Sequence, residues 1–323
     1  MLMRNSRPNS RPLRVLTWHV HGNYLYYLTQ APHEFHVVTK LGRPPGYAGR
    51  AGVLPWGPNV HEVPAHEVAL RDFDVVVYQQ RSHWEDDRLT LLSEAQRRLP
   101  RVYIEHDPPQ EAPFAQRHWV DDPGALLVHV TPFNALMWDS GATPTRVIEH
   151  GVVVPEDARY RGETARGITV VNHLRQRGRR LGADIFEAVR ECVPLDLVGM
   201  DAQSLGGLGE IPNTQLASFV ANYRFFFNPI RWTSLGLAIV EAMTVGLPIV
   251  GLATTELASV IHDGENGFVD TRVDRLVECM RALIADPKLA RHLGEAARRT
   301  ACERFGIERF AHDWDLALRE VTA

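Results

Sequence analysis

A glutamate and a group of arginines are the residues of this chain whose types and spacing could do chemistry. Glu241 lies in an apolar segment that Gly246-Leu247-Pro248 ends, because glycine adopts the left-handed cap conformation and proline cannot continue a helix. Its carboxylate matches a vicinal diol, or it could pair with a cation. Arg175 and Arg180 are five positions apart in a strand-to-helix loop. They could neutralise phosphate or form a solvated basic loop.

Two further segments could contribute to such a site. Ser234, Leu235 and Gly236 precede the helix that carries Glu241, and free backbone N–H groups at a helix N-terminus are natural anion ligands. Asn228 follows an apolar strand, at the edge where open parallel sheets place ligands, although it could also serve only to end that strand. Because four arginines lie within six positions, Arg177 or Arg179 could replace Arg175 or Arg180 as the phosphate ligand.

Short apolar runs alternate with helical patterns in two series and predict the elements that position these residues. This alternation predicts α/β architecture with parallel sheets covered on both faces. The first series of predicted strands is 15–18, 35–39, 74–78, 101–105 and 125–130. The second series is 168–171, 195–198, 225–227 and 249–252, followed by helices at 274–285, 287–303 and 307–321.

Three motifs keep a fixed spacing over about thirty residues, namely Glu241-Ala-Met, Gly246-Leu247-Pro248 and Asp263-Gly-Glu-Asn-Gly267. Together they resemble the donor half of nucleotide-sugar glycosyltransferases with the GT-B fold, in particular the retaining family 4 enzymes. The resemblance implies two Rossmann-like domains whose parallel sheets face a central cleft. We expect a basic tail at 1–14, an acceptor-side domain at 15–155, a donor domain at 156–305, and a helix at 306–323 that crosses back.

The resemblance also implies roles for individual residues. Glu241 would bind the ribose, Arg175 and Arg180 match an Arg-x4-Lys pair that binds the diphosphate, and Thr233 stands where the family has its first glutamate. His106, in a His-Asp pair, would face the donor sugar, and Gly22 matches the glycine of a turn near phosphate. The predicted catalytic residues are therefore His106, Arg175, Arg180 and Thr233. The predicted donor-binding residues are Gly22, Asn228, Ser234, Leu235, Gly236 and Glu241.

The implied activity is retaining transfer of a sugar from a nucleotide-sugar donor to a carbohydrate or glycolipid acceptor in bacterial surface polysaccharide or glycolipid synthesis. No metal or cofactor is expected, because arginines and helix N-termini carry the electrostatic role. Two alternatives remain open. A catalytically silent sugar-nucleotide-binding or partner subunit is consistent with Thr233, and a sugar-nucleotide epimerase can share the architecture.

Composition limits the possible partners and compartments. The chain has 323 residues, a net charge of −4 and 45% hydrophobic residues, which suits a globular protein without a general attraction for nucleic acid. Three widely spaced cysteines favour a reducing compartment, so we expect a cytoplasmic protein. No apolar run is long enough to span a bilayer. The arginines of residues 1–14 leave peripheral contact with an anionic membrane open.

Overall fold

A computed structural model describes residues 11–323. Most of the predicted basic tail, residues 1–10, lies outside this range. Arg11 and Arg14 at its end both bind the carboxylate of Asp74, with nitrogen-to-oxygen distances of 2.8 and 3.2 Å. The last residues of the predicted tail are therefore attached to the first sheet of the protein.

The first half of the chain forms a seven-stranded parallel sheet in the order β3-β2-β1-β4-β5-β6-β7. Its strands are β1 (Arg14–Trp18), β2 (Glu34–Thr39), β3 (Val60–Pro64), β4 (Val75–Tyr78), β5 (Arg101–Glu105), β6 (Ala125–His129) and β7 (Thr145–Val147). Its helices are α1 (Gly22–Leu28), α2 (Arg88–Thr90) and α3 (Pro132–Met137), with 3-10 turns at Ala65–Leu70 and Gln96–Arg98 and a π-helical turn at His83–Asp87. We call this sheet and its helices the first domain.

The second half forms a five-stranded parallel sheet in the order β12-β11-β10-β8-β9. Its strands are β8 (Thr164–Val170), β9 (Leu195–Val198), β10 (Tyr223–Asn228), β11 (Ile249–Leu252) and β12 (Gly267–Asp270). Its helices are α4 (Leu174–Leu181), α5 (Ala183–Arg190), α6 (Asn213–Val220), α7 (Leu237–Val245), α8 (Leu257–Val260), α9 (Val273–Ala285) and α10 (Pro287–Arg304), with a 3-10 turn at Ala202–Leu205. This sheet and its helices are the second domain. The predicted α/β architecture of two parallel sheets is confirmed.

Two strands of the first sheet were not predicted. β3 carries His61 and Glu62, and β7 is only three residues long, so neither has the apolar pattern of a buried strand. Both lie at the edges of the sheet. β8 begins at Thr164, four residues before the start of the predicted strand 168–171.

The last helix, α11 (Ile307–Val321), packs on the first domain. Its Phe310 ring meets Tyr24 of α1 edge to face, with 5.6 Å between ring centroids. Phe310 is also so close to Gly151 that a Cβ there would lie 2.2 Å from Phe310 Cβ. Where the chain returns, the N–H of Val152 donates to the carbonyl oxygen of Phe305 at 3.2 Å. The chain therefore passes between the domains twice, at adjacent places.

Among residues 11–323 no helix is long and apolar enough to cross a membrane.

Candidate functional site

The strand orders place two loops of the first sheet and two of the second at positions suited to ligand binding. In the first sheet β1 lies beside β4, and in the second β8 lies beside β10, so the chain reverses its winding direction at both points. Ligands of open parallel sheets bind beyond the carboxyl ends of strands at such points. The loops after β1, β4, β8 and β10 are 19–21, 79–82, 171–173 and 229–236.

A cleft of about 920 Å³ opens between the two domains at this edge. The first domain contributes 19–24 and 51–54 to its walls. The second domain contributes 198–200 and 210–213, together with Val170, Asn172, Leu216, Leu237, Ala238 and Glu241. Of the predicted site residues, Gly22 and Glu241 line this cleft, so the structure brings a loop of the first domain to the carboxylate of the second.

Glu241 is buried on α7, with 6% of its surface exposed. The helix forms as predicted and ends at Gly246, whose φ of 105° is the left-handed conformation that glycine adopts without strain. The hydroxyl of Tyr27, on α1 of the first domain, donates to Glu241 Oε1 at 2.7 Å. Burial raises the pKa of Glu241, and the hydrogen bond from Tyr27 partly opposes that shift.

The loop before α7 is held by a histidine of the first domain. Nε2 of His150 lies 2.7 Å from the carbonyl oxygen of Leu235, and since a carbonyl only accepts, Nε2 carries the hydrogen. Burial lowers the pKa of His150 to about 4, which keeps the ring neutral. Within residues 11–323 the N–H groups of Ser234, Leu235 and Gly236 donate no hydrogen bond. Unpartnered N–H groups next to a helix N-terminus can bind an anion, and the assignment of these three to donor binding stays a prediction.

His106 lies at the end of β5, next to the cleft. Its ring centroid is 4.1 Å from that of His21, which lines the cleft, and 4.6 Å from that of Tyr24. Its Nε2 lies 3.1 Å from Oε1 of Gln79. Burial, with smaller contributions from His21 and His150, lowers the pKa of His106 well below its usual value. A neutral imidazole therefore faces the same region as the loop before α7.

The backbone around His106 is fixed by a buried carboxylate. Glu105 Oε1 accepts a hydrogen bond from the N–H of Asp107 at 2.9 Å, and Oε2 lies 3.0 Å from Nε2 of His118. Burial raises the pKa of Glu105 to about 8. The indole N–H of Trp138 donates to the carbonyl oxygen of Asp107 at 2.8 Å. Both contacts orient the segment that carries His106.

The arginines of α4 point in different directions. The helix is kinked at Gly178, where φ is 56° and ψ is −139°. Arg175 donates to the carbonyl oxygen of Ser204 at 2.7 Å, which directs it towards the second domain's own 3-10 turn. Arg180 donates to Oε1 of Gln110, a residue of the first domain. Burial lowers the pKa of Arg177, and Arg180 adds to this shift, so these two guanidinium groups lie near each other.

The other two predicted residues lie directly before and within the loop that precedes α7. Asn228 is buried at the end of β10, and Thr233 is half-buried two residues beyond Arg231. The indole N–H of Trp232, beside Thr233, donates to the carbonyl oxygen of Pro109 at 2.9 Å. This contact and that of Arg180 with Gln110 attach the loop to the segment after His106.

Part of the site was not predicted from the sequence. Asn172, the segments 198–200 and 210–213, and Tyr27 all reach the cleft or Glu241. The strand pattern could have indicated the first two, because they follow β8 and β9 at the ligand-binding edge. Val198, Met200, Ile211 and Pro212 give this wall an apolar character suited to a flat ring. Within residues 11–323 no group of three or more His, Cys, Asp or Glu side chains could hold a metal ion.

Two facing parallel sheets with a cleft at their carboxyl edges define a GT-B glycosyltransferase fold. The structure is similar to a sucrose-phosphate synthase from Thermosynechococcus elongatus, with a TM-score of 0.70 and 17% identity over 96% of this chain and 99% of that one. It is also similar to Anabaena HepE in complex with UDP and glucose, with a TM-score of 0.70 and 14% identity over 95% of this chain and 100% of that one.

Within this fold, residues 204–300 match the family model of the glycosyl transferases group 1. An N-acetyl-alpha-D-glucosaminyl L-malate synthase of Bacillus anthracis is 30% identical over 94 residues, which are 27% of this chain and 24% of that protein. An alpha-maltose-1-phosphate synthase of Mycolicibacterium smegmatis is 27% identical over 121 residues, which are 35% of this chain and 31% of that protein. Each match thus spans less than a third of the relative's length.

Proposed function

We propose that this protein transfers a sugar from a nucleotide-sugar donor to an acceptor hydroxyl. The observation that carries the proposal is the position of Glu241, which lies in the segment matched by the group 1 family and lines the cleft between the two sheets. A carboxylate there can accept hydrogen bonds from ribose hydroxyls. The complex of the similar HepE structure with UDP and glucose is consistent with this choice of ligand.

The nucleotide would lie along the second-domain wall. Its base would pack against the apolar segments 198–200 and 210–213, and its ribose would meet Glu241. The free N–H groups of 234–236 would bind the diphosphate, assisted by Arg177 and Arg180. Donors that are already oriented towards developing charge stabilise a departing phosphate without further reorganisation.

The donor sugar would lie between this loop and His106. Because its pKa is lowered, His106 is neutral near pH 7 and can exchange hydrogen bonds with a sugar hydroxyl without adding charge. We propose that transfer retains the anomeric configuration, with the departing phosphate accepting the proton of the acceptor hydroxyl. The arginines and backbone N–H groups would balance the phosphate charge, so the proposal needs neither a metal nor a cofactor.

The acceptor would bind on the first-domain wall, formed by 19–24 and 51–54. We propose a carbohydrate or glycolipid acceptor and a role in bacterial surface polysaccharide or glycolipid synthesis in the cytoplasm, with possible contact at the membrane surface. Segment 51–54 is small and apolar and carries no charge, so it can lie against the face of a sugar ring.

Thr233 favours a second candidate function. It occupies the position at which the resemblance expects a glutamate, and its side chain cannot accept hydrogen bonds as an ionised carboxylate does. A protein that binds the sugar nucleotide without transferring the sugar would retain Glu241 and the arginines and lack this carboxylate. Binding of a donor with neither transfer nor donor hydrolysis across a broad acceptor panel would support this alternative.

The test is calorimetric titration with UDP, GDP, ADP and dTDP. Selective binding of one nucleotide is expected, and Glu241→Ala should weaken it by about 1.5–3 kcal/mol, or roughly ten- to a hundredfold. Glu265→Ala, which removes an exposed carboxylate of the same domain, is the matched control and should bind as the wild type does. Circular dichroism would confirm that each variant is folded. Absence of binding, or equal affinity of the wild type and Glu241→Ala, would refute the proposed donor site.

A further inference from the structure

The contact between Tyr27 and Glu241 is unusual because it joins the two domains at the predicted ribose site. Tyr27 is 2% exposed, and its hydroxyl donates to Oε1 of Glu241 at 2.7 Å. Glu241 Oε2 accepts no hydrogen bond from residues 11–323, and it is not among the fully enclosed polar atoms without a partner. One carboxylate oxygen is therefore engaged by the first domain, while the other has no protein partner and is not fully enclosed.

A second, smaller cavity borders both Tyr27 and Glu241. This side cavity, of about 160 Å³, lies between Tyr26 and Tyr27 of α1, the segment Val153–Pro155, and α6. It shares Leu54, Asn213 and Glu241 with the cleft. Because Glu241 borders both cavities, its side chain would have room to turn away from the cleft if no partner held it. Tyr27 is the partner that the structure provides.

We infer that Tyr27 is a donor-positioning residue, which holds Glu241 so that its free oxygen Oε2 accepts a hydrogen bond from a ribose hydroxyl of the nucleotide. The inference rests on the proposed function. It goes further by making recognition of the ribose depend on a residue of the first domain. A nucleotide bound to the second domain alone would meet a less well oriented carboxylate, so ribose recognition requires both domains in their present arrangement.

The hydrogen bond also favours the ionised form of Glu241. Burial raises the pKa of this carboxyl, and donation from Tyr27 lowers it. Without the Tyr27 hydroxyl, burial would still raise the pKa of Glu241, but no hydrogen bond would oppose that effect. The pKa would therefore rise further. The other titratable groups that line the cleft and the side cavity are His19, His21, Tyr24, Tyr26 and Glu210. A Tyr27→Phe substitution leaves all of them in place.

The first experiment compares a ribonucleotide with its 2′-deoxy counterpart. The probe is whichever of UDP, GDP and ADP binds the wild type most tightly, titrated alongside dUDP, dGDP or dADP. For Tyr27→Phe we expect an affinity loss of about three- to tenfold for the ribonucleotide and a smaller loss for the deoxynucleotide. Tyr26→Phe is the matched control, because Tyr26 is adjacent, lines the same side cavity and has no bond to Glu241. It should retain the preference of the wild type.

The second experiment measures the affinity for the same ribonucleotide from pH 5 to pH 8. Binding should weaken on acidification as Glu241 becomes protonated, and the midpoint is the pH at which half of this loss has occurred. In Tyr27→Phe this midpoint should move to higher pH. The phosphate groups titrate alike with every variant, so a difference between variants belongs to the protein. A purely structural role of Tyr27 would lower both affinities equally and leave the midpoint unchanged.

The outcomes separate the two proposals. If the wild type binds and Glu241→Ala weakens binding, but Tyr27→Phe keeps both the ribose preference and the pH midpoint, the inference about Tyr27 is wrong and the proposed function stands. If the wild type binds no nucleotide, the proposed function fails and the inference fails with it.

Discussion

His150 donates a hydrogen bond from Nε2 to the carbonyl oxygen of Leu235 at 2.7 Å, and this bond links the end of the first domain to the loop before α7. Arg309 of α11 in turn donates to the carbonyl oxygen of His150. The orientation of the N–H groups at 234–236 therefore depends on contacts made by the first domain and by the last helix. An asparagine side chain at this position could also donate to a carbonyl.

Replacing His150 by phenylalanine should weaken binding of the diphosphate. The ring volume is kept but the donor is lost, so the loop before α7 loses the bond that orients its N–H groups. We expect about tenfold lower affinity for the nucleoside diphosphate, corresponding to roughly one hydrogen bond, and little change for the nucleoside. Calorimetry with both ligands measures the difference, and His150→Asn should recover part of the loss. Equal losses for the two ligands would contradict the role of the loop.

Three of the four arginines of α4, Arg175, Arg177 and Arg180, should differ in their effect on diphosphate binding. Arg177 and Arg180 lie near each other beside the first domain, whereas Arg175 binds Ser204 within the second domain. Arg180→Ala and Arg177→Ala should each lower diphosphate affinity by about 1.5–3 kcal/mol, because each removes a charge-assisted bond. Arg175→Ala should have a smaller effect on affinity. A larger loss in Arg175→Ala than in the other two would show that the arginine rearranges when the ligand binds.

Phe310 should be essential for the stability of both domains. It is fully buried between α11 and the first domain, and the same hydrophobic core includes Ile239 and Met243 of α7. Phe310→Ala should lower the free energy of unfolding by about 3–5 kcal/mol. Leu316→Ala is the matched control on the same helix, because Leu316 is 50% exposed, and it should cost less than about 1 kcal/mol. Chemical denaturation measures the free energy of unfolding of both variants. Comparable losses in the two would contradict the packing described for Phe310.

Stability should decrease on acidification below neutral pH. Burial lowers the pKa of five histidines to about 4, namely His36, His83, His118, His129 and His150. Between pH 4 and 6.5 the unfolded chain binds protons that the native protein does not, so the native state loses stability by up to about 1.4 kcal/mol per pH unit for each histidine. Glu105 acts in the opposite sense, because its raised pKa removes stability as pH increases from 4.5 to about 8.

Denaturation at pH 5 and pH 7 tests this dependence. His83→Phe should reduce the difference in stability between the two pH values, because it removes one of the buried histidines. His66→Phe changes an exposed histidine and should leave that difference as in the wild type. If His83→Phe kept the full pH dependence, His83 would not be a source of it.

The sequence predicted the fold well where local pattern and packing agree. The strand from Ile249 to Leu252 and the helix from Ile307 to Val321 have the predicted bounds, because each is a clear apolar pattern between strong end signals. The edge strand at Val60–Pro64 was missed because its polar residues face solvent and resemble a loop. The prediction of the GT-B fold is confirmed, and it rests on three motifs that all lie in the second domain.

The site was less predictable because its contacts join residues far apart in the chain. Glu241 was recognisable from its motif, but nothing in the sequence pairs it with Tyr27, which is 214 positions away. The bond of His150 to Leu235 likewise depends on how the domains face each other, which the sequence alone does not reveal. The kink at Gly178 separates Arg175 from Arg180 within α4, which spacing alone does not reveal. The assignments to catalysis and donor binding remain predictions.

The two passages of the chain between the domains, near Val152 and near Gly306, determine the order in which the protein can be completed during synthesis. The first domain is discontinuous, since its sheet is made from early residues and α11 from the last ones. The second domain, by contrast, is one uninterrupted stretch. It can fold while the chain is still being synthesised. The first-domain surface around Tyr24 and Gly151, however, cannot be covered until Phe310 has been synthesised. Of the two domains, the one that is synthesised earlier is thus completed later.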